Sequence, residues 1–149
     1  MIDNTLATPV NFRPAELGYD LVVHSATKYL NGHSDIAAGV VLGSAQRVHK
    51  VRHRLNHLGG CLDPNSCFLL QRGLKTLALR VRYQNESATR LAEWLRGRPE
   101  VRAVNYPQGR QPGFAGFGGV LSFELATAEA GQVFDDGAGL GLAGFARFG

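Results

Sequence analysis

Cysteine is scarce in this sequence. The 149 residues contain two cysteines, Cys61 and Cys67, with five residues between them. A disulfide framework needs more cysteines, and a zinc site usually has closer spacing and further ligands. These counts argue against a disulfide-stabilised secreted domain. We expect both cysteines to be small buried residues in a reducing compartment.

Long hydrophobic runs are also missing. No apolar stretch approaches the length of about 20 residues that a membrane-spanning helix needs. The first five residues contain neither a basic side chain nor an apolar stretch, unlike a secretory signal. Hydrophobic residues form 44% of the chain and charged residues 19%, as in globular proteins with a sizeable core. These features predict a cytoplasmic protein with no membrane partner.

Neither sign of charge dominates the chain, whose net charge is +4. Its basic residues are scattered, whereas a nucleic-acid binder usually concentrates them with aromatic residues on one face. His49, His53 and His57 recur every four residues and would share one side of a helix. That segment contains no carboxylate or thiolate, which favours a solvated basic face over a metal site. We therefore predict no metal and no nucleic-acid partner.

Hydrophobic patterns indicate an alternation of strands and helices. Apolar and β-branched runs predict buried strands over residues 20–24 and 37–43. Apolar residues at helical spacing predict one helix over residues 45–58 and a longer one over residues 64–98. Asp63 is the expected cap of the longer helix, and Gly73 is a possible division point within it. Strand patterns return at residues 101–106 and 120–125.

A polar loop at residues 25–35 separates the first two predicted strands. In α/β enzymes, such loops often contain the catalytic groups. Ser25 and Thr27 precede Lys28, and their hydroxyl groups could donate to a phosphate beside the lysine amine. Asp3 follows a short apolar start and could lie at the mouth of a neighbouring strand. The residues alone leave ordinary roles open, namely an exposed lysine, a strand-end cap and loop hydroxyls.

Four sequence motifs indicate the function more specifically than single residues do, and they follow one another in the same order as in a known enzyme family. Residues 20–34, DLVVHSATKYLNGHS, resemble the cofactor-attachment signature of the Cys/Met metabolism PLP-dependent enzymes, the transsulfuration family. Asp3-Asn4-Thr5, 25 residues before Lys28, resembles the Asp-Asn-Thr element of that family. Residues 73–77 and 118–125 also resemble motifs of the family. The resemblance covers nearly the whole chain.

The resemblance implies a cofactor, a substrate class and a set of roles. The cofactor is pyridoxal 5′-phosphate, held by Lys28 as a Schiff base, and the substrate is a small molecule of the sulfur amino-acid class. Lys28 would also move protons between substrate carbons. Asp3 would pair with the pyridine nitrogen, while Ser25 and Thr27 would bind the phosphate. The implied activity is C–S bond formation or cleavage of the cystathionine γ-synthase or γ-lyase type, as a γ-replacement transferase or a lyase.

The resemblance also implies an α/β fold and a domain division. Residues 1–85 would be the C-terminal part of an aspartate-aminotransferase-like (fold type I) cofactor domain. Residues 86–149 would begin a small α+β C-terminal domain, and full-length relatives would be homo-oligomers. Family members are longer, so we expect this chain to be a fragment. The alternative to an active enzyme is an inactive remnant that partly binds the cofactor or docks on an intact homologue.

Overall fold

The computed structural model describes residues 1–127, so residues 128–149 of the predicted small domain lie outside the described part. Three strands form one sheet in the order β1 (Ile2–Asp3), β2 (Leu21–Ser25) and β3 (Gly39–Gly43). β1 runs parallel to β2, and β3 runs antiparallel to it. The two strands predicted on either side of the polar loop at residues 25–35 are confirmed. Because β1 and β2 are parallel, their carboxyl ends, at Asp3 and Ser25, meet at one edge of the sheet.

The connection from β1 to β2 contains two short helical segments. The helix α1 (Thr8–Asn11) has a proline in its first turn, which suits the missing amide of that residue. A 3-10 helix (Pro14–Leu17) follows and ends at Gly18, whose φ of 84° is readily adopted by glycine. This connection returns the chain to the start of β2, beside β1.

Burial corrects two of the expectations. No residue of β3 is buried, although residues 37–43 were predicted as a buried strand. The physical reason is that β3 lies at the edge of the described sheet, with β2 as its one strand partner. The prediction of buried cysteines is also wrong, because both are free and exposed. Cys61 lies between two helices, and Cys67 is in the first turn of a helix whose one buried residue is Gly73.

Three longer helices follow the sheet: α2 (Ala45–Leu58), α3 (Pro64–Leu74) and α4 (Leu77–Arg96). Ser44 caps α2, and Asp63 caps α3 by accepting a hydrogen bond from the Ser66 amide at 3.0 Å. The long predicted helix is therefore divided just after Gly73, as the sequence indicated. No helix of residues 1–127 is both long and apolar enough to cross a membrane.

The helix α4 contributes to two hydrophobic clusters. Its N-terminal half packs against the segment that follows β2, and its C-terminal half packs against the hairpin of β4 (Val101–Asn105) and β5 (Ser122–Leu125). The buried members of the first cluster are Ala26, Leu30, Leu77 and Val81. Those of the second are Ala88, Ala92 and Tyr106. The helix α4 thus connects the first hydrophobic cluster, which contains Ala26 and Leu30, with the second, which contains Tyr106.

Candidate active site

The segment that carries Lys28 is a tight turn at the end of β2. The Lys28 amide donates to Ser25 O at 3.2 Å, and the Gly32 amide donates to Lys28 O at 2.7 Å. Ala26 and Leu30 are buried in the first cluster, whereas Lys28 is exposed. Two buried anchors therefore hold the turn while the lysine side chain stays accessible.

Lys28 lines an open cavity of about 560 Å³. Asp3 and Ser25 line the same cavity, together with Phe12 and Phe114. Three of the four predicted site residues are thus brought together around one space. The residues of this lining include one with a carboxylate, one with a hydroxyl, one with an amine and two with aromatic rings. Concave sites with a few convergent polar groups on an apolar lining are typical of small-molecule binding.

Thr27 does not line this cavity. Its hydroxyl accepts a hydrogen bond from the Ala38 amide at 2.9 Å and lies 3.4 Å from Ala38 O. The Thr27 amide also donates to Ala38 O, at 3.2 Å. The structure therefore uses Thr27 to tie the lysine turn to the chain entering β3.

Thr5 organises the carboxylate of Asp3, a role that the sequence reasoning missed. The buried Thr5 hydroxyl donates to Asp3 Oδ1 at 2.6 Å, and the Thr5 amide donates to the same oxygen at 2.9 Å. The hydroxyl also accepts from the Ser25 amide at 2.7 Å. One side chain thus links the ends of β1 and β2. The signal was present as an aspartate two residues before a threonine, the spacing of a side-chain-to-backbone turn.

These contacts keep Asp3 ionised. The two hydrogen bonds from Thr5 lower the pKa of the Asp3 carboxyl, chiefly through the hydroxyl, and desolvation opposes them; His24 lowers this pKa further only when its imidazole is protonated. His24 itself is buried, and burial lowers the pKa of its imidazole, with Asp3 opposing the shift. His24 is therefore neutral near pH 7, and Asp3 is the charged member of the pair.

The aromatic lining of the cavity is a stacked pair that the sequence reasoning also missed. The rings of Phe12 and Phe114 are 4.3 Å apart between centroids and inclined by 9°. Their backbones form an isolated antiparallel bridge, and the Ala115 amide donates to Asn11 O at 2.8 Å. The glycine-rich loop between β4 and β5 therefore reaches the connection between β1 and β2, and its Phe114 contributes to the lining of the cavity.

Asn85 of α4 fixes that loop. Its Oδ1 accepts hydrogen bonds from the Asn11 side chain at 2.9 Å and from the Gly118 amide at 2.8 Å. Tyr106 adds a third contact by donating its hydroxyl to Gly118 O at 2.8 Å. Gly118, four residues after Phe114, is thus held through both its amide and its carbonyl oxygen.

The chain belongs to the family of Cys/Met metabolism PLP-dependent enzymes, whose profile matches residues 1–140. It is 48% identical to cystathionine gamma-synthase 1 of Arabidopsis thaliana over 132 residues, 83% of this chain and 23% of that protein. It is 39% identical to cystathionine gamma-lyase of Bacillus subtilis over 143 residues, 90% of this chain and 38% of that protein.

Solved structures of the same family have the same fold. The cystathionine gamma synthase of Xanthomonas oryzae pv. oryzae, in complex with cystathionine, superposes with a TM-score of 0.83 at 39% identity. The match covers 91% of this chain and 38% of that one. The chain therefore spans between about a quarter and two fifths of the length of these relatives.

The cofactor of this family is pyridoxal 5′-phosphate, and the residues at the cavity fit it. An ionised carboxylate suits a protonated pyridine nitrogen, and an accessible lysine amine suits covalent attachment. Among residues 1–127, both hydrogen bonds to the Asp3 carboxylate are accepted by Oδ1, so Oδ2 remains available to a ligand. The donor set thus has the chemistry that the family requires.

Proposed function

We propose that residues 1–127 form the cofactor-attachment region of a transsulfuration enzyme, with Lys28 as the attachment and proton-transfer residue. The observation that carries this proposal is the common cavity of Lys28, Asp3 and Ser25. Bound there, pyridoxal phosphate would supply an electron-withdrawing ring that stabilises negative charge on an amino-acid substrate.

Each residue then has a defined task. The Lys28 amine would hold the cofactor and would move protons at the substrate carbons. Asp3, whose pKa Thr5 lowers, would pair with the protonated pyridine nitrogen. The Ser25 hydroxyl would donate to the phosphate. The pair Phe12 and Phe114 excludes water from one side of the cavity.

Thr27 fits the proposed phosphate role in a restricted way. Its oxygen already accepts from the Ala38 amide at 2.9 Å, while its contact with Ala38 O, at 3.4 Å, is long for a hydroxyl donor. The hydroxyl proton could therefore turn from Ala38 O to a phosphate oxygen without loss of the stronger bond. We propose this reorientation as the contribution of Thr27.

We further propose the cystathionine γ-synthase or γ-lyase type of reaction, in which an amino acid gains or loses a sulfur substituent at its γ-carbon. Relatives with both names, at 48% and 39% identity, support this proposal. The proposed domain division places residues 1–85 in the large cofactor domain and residues 86–149 in a small C-terminal domain. The two hydrophobic clusters along α4 support that division, and a homo-oligomer is the proposed assembly.

Product analysis tests this proposal. The purified chain is incubated with pyridoxal phosphate and either cystathionine or an O-acylhomoserine with cysteine, and the products are separated by chromatography. We expect products that disappear in Lys28→Ala and persist in Lys75→Ala, a lysine outside the cavity lining. Turnover that survives Lys28→Ala would refute the assignment.

The second candidate is a catalytically inactive remnant that only partly binds the cofactor or docks on an intact homologue. Large apolar side chains on the helices favour it, since Leu58 is 84% exposed, Leu79 70% and Phe68 60%. A partner chain that covered these side chains would remove their apolar surface from water. Cofactor binding without products, combined with co-elution with an intact relative, would select this candidate.

A further inference from the structure

Arg80 lies outside the cavity lining, yet it contacts the residue next to Lys28. Its guanidinium donates from Nη1 to Tyr29 O at 3.0 Å and from Nη2 to Gly73 O at 2.9 Å. Its Nε donates to the Thr76 hydroxyl, also at 3.0 Å. One side chain of α4 therefore connects the lysine turn with the junction between α3 and α4.

The packing around the guanidinium leaves little room for the turn to move. A Cβ atom on Gly32 would lie 2.1 Å from Arg80 Nη1, so the guanidinium lies directly against the Gly32 backbone. A Cβ atom on Gly73 would lie 2.2 Å from Asn31 O. The segment from Tyr29 to Gly32 is thus held between Arg80 and the end of α3.

The charge of Arg80 is directed at neutral acceptors. Within residues 1–127 it forms no ion pair with a carboxylate, in contrast to Arg72, which pairs with Asp35 at 3.0 Å. Hydrogen bonds from a cation to carbonyl oxygens are stronger than neutral ones, and the fixed fork of arginine fits several acceptors at once. Lysine cannot reproduce three directional bonds of this kind.

Tyr29 is held at its other end as well. Its hydroxyl accepts a hydrogen bond from the Gly119 amide at 3.3 Å, in the glycine-rich loop that also contains Phe114. The backbone of Tyr29 therefore contacts α4, and its side chain contacts the loop that supplies Phe114 to the cavity lining. Because Lys28 directly precedes Tyr29, both contacts restrict the direction in which the lysine side chain leaves the turn.

We propose that Arg80 is a positioning residue that holds the Lys28 turn, through Tyr29 O, in the orientation needed for cofactor attachment. This inference rests on the proposed function of Lys28. It assigns no contact between Arg80 and substrate or cofactor. The competing interpretation is that Arg80 only stabilises the junction of α3 and α4.

The test compares Arg80→Met and Arg80→Lys with Arg82→Met, an exposed arginine on the same helix that serves as the matched control. Two quantities are measured on the full chain. One is the Kd for pyridoxal phosphate, from the visible absorption band. The other is hydrogen exchange of residues 26–33 without cofactor, compared with exchange of the β4–β5 hairpin.

We expect Arg80→Met to raise the Kd by about tenfold or more, the effect of losing a charge-assisted bond that orients a reacting group. Exchange should accelerate in residues 26–33 and remain unchanged in the hairpin. Arg80→Lys should be intermediate, and Arg82→Met should match the unsubstituted chain. If Arg80→Met does not fold, Arg80→Lys decides by the same two quantities.

Two results would overturn the inference. One is an unchanged Kd for pyridoxal phosphate in the folded Arg80 variant. The other is faster hydrogen exchange throughout that variant, which would indicate that Arg80 stabilises the whole fold and not the lysine turn in particular. A failure of the proposed function is distinguishable, because the unsubstituted chain would then show no cofactor band. A normal band in that chain, together with an unaffected Arg80 variant, refutes the positioning role alone.

Discussion

Substitution of Gly73 by alanine tests how closely α3 supports the lysine turn. The new Cβ would lie 2.2 Å from Asn31 O and 2.9 Å from the Asn31 Cα, well inside ordinary contact. To restore a contact of 3.0 Å, the two backbones must separate by roughly 0.8 Å. Asn31 is fully buried and bonded to Asp35 at 2.7 Å and to Ala26 O at 3.1 Å, so it cannot move freely.

The expected magnitude follows from two opposing effects. Overpacking of a close contact costs about 1–3 kcal/mol, whereas alanine in place of glycine inside a helix contributes up to about 1 kcal/mol of stability. The close approach is to backbone atoms of Asn31 and not to a flexible side chain, so we take the upper end of the overpacking cost and expect Gly73→Ala to lower the free energy of unfolding by about 2 kcal/mol. It should also weaken the binding of pyridoxal phosphate, because the displaced turn carries Lys28.

Urea unfolding followed by circular dichroism measures the free energy of unfolding. Titration of the visible absorption band measures the binding of pyridoxal phosphate. Gly97→Ala is the control, since its Cβ would meet Trp94 O at an ordinary 3.6 Å. We expect that variant to stay within about 0.5 kcal/mol of the unsubstituted chain. A Gly73→Ala chain that is as stable as the control, or that binds the cofactor normally, refutes the reasoning.

Two further expectations concern the carboxylate end of the cavity. Thr5→Val removes the hydroxyl that donates to Asp3 and accepts from the Ser25 amide. We expect an NMR titration to show that the pKa of Asp3 rises towards its ordinary value. Urea unfolding should show that the free energy of unfolding falls by about 1–3 kcal/mol. An unchanged Asp3 titration would contradict the assigned role of Thr5. Burial lowers the pKa of His24 in the folded chain, so the unfolded chain binds more protons at mildly acidic pH. The free energy of unfolding should therefore decrease as the pH falls below about 6.5, by at most about 1.4 kcal/mol per pH unit. The decrease should stop once the pH is below the pKa of His24 in the folded chain. His24→Asn should flatten this dependence in unfolding measurements between pH 8 and 5, and an equal slope in both chains would show that another group titrates.

Much of the fold was predictable because local patterns and tertiary structure agree. The helix α2 and the cap of α3 by Asp63 follow from periodicity and capping chemistry. The exposure of β3 was not predictable in the same way, because an apolar run does not reveal whether a neighbouring strand covers it. The left-handed φ of 64° at Thr8, a β-branched residue before proline, also runs against local preference.

The candidate site was predictable where its residues lie within one motif. Lys28 and Ser25 were identified by resemblance, and the parallel pairing of β1 with β2 brings Asp3 to them. Phe114 and Arg80 were missed because they are far along the chain from Lys28, and their contacts depend on how the loop and α4 return to the turn. Such long-range contacts leave no local pattern in the sequence.

Reductive labelling tests the attachment of the cofactor to Lys28 most directly. The chain contains three lysines, Lys28, Lys50 and Lys75, so the labelled residue can be assigned without ambiguity. The protein is incubated with pyridoxal phosphate, reduced with borohydride, digested and analysed by mass spectrometry. We expect the label on Lys28, close to one per chain, and its loss in Lys28→Ala but not in Lys50→Ala. A label shared among the three lysines, or absent from Lys28, would contradict the central claim.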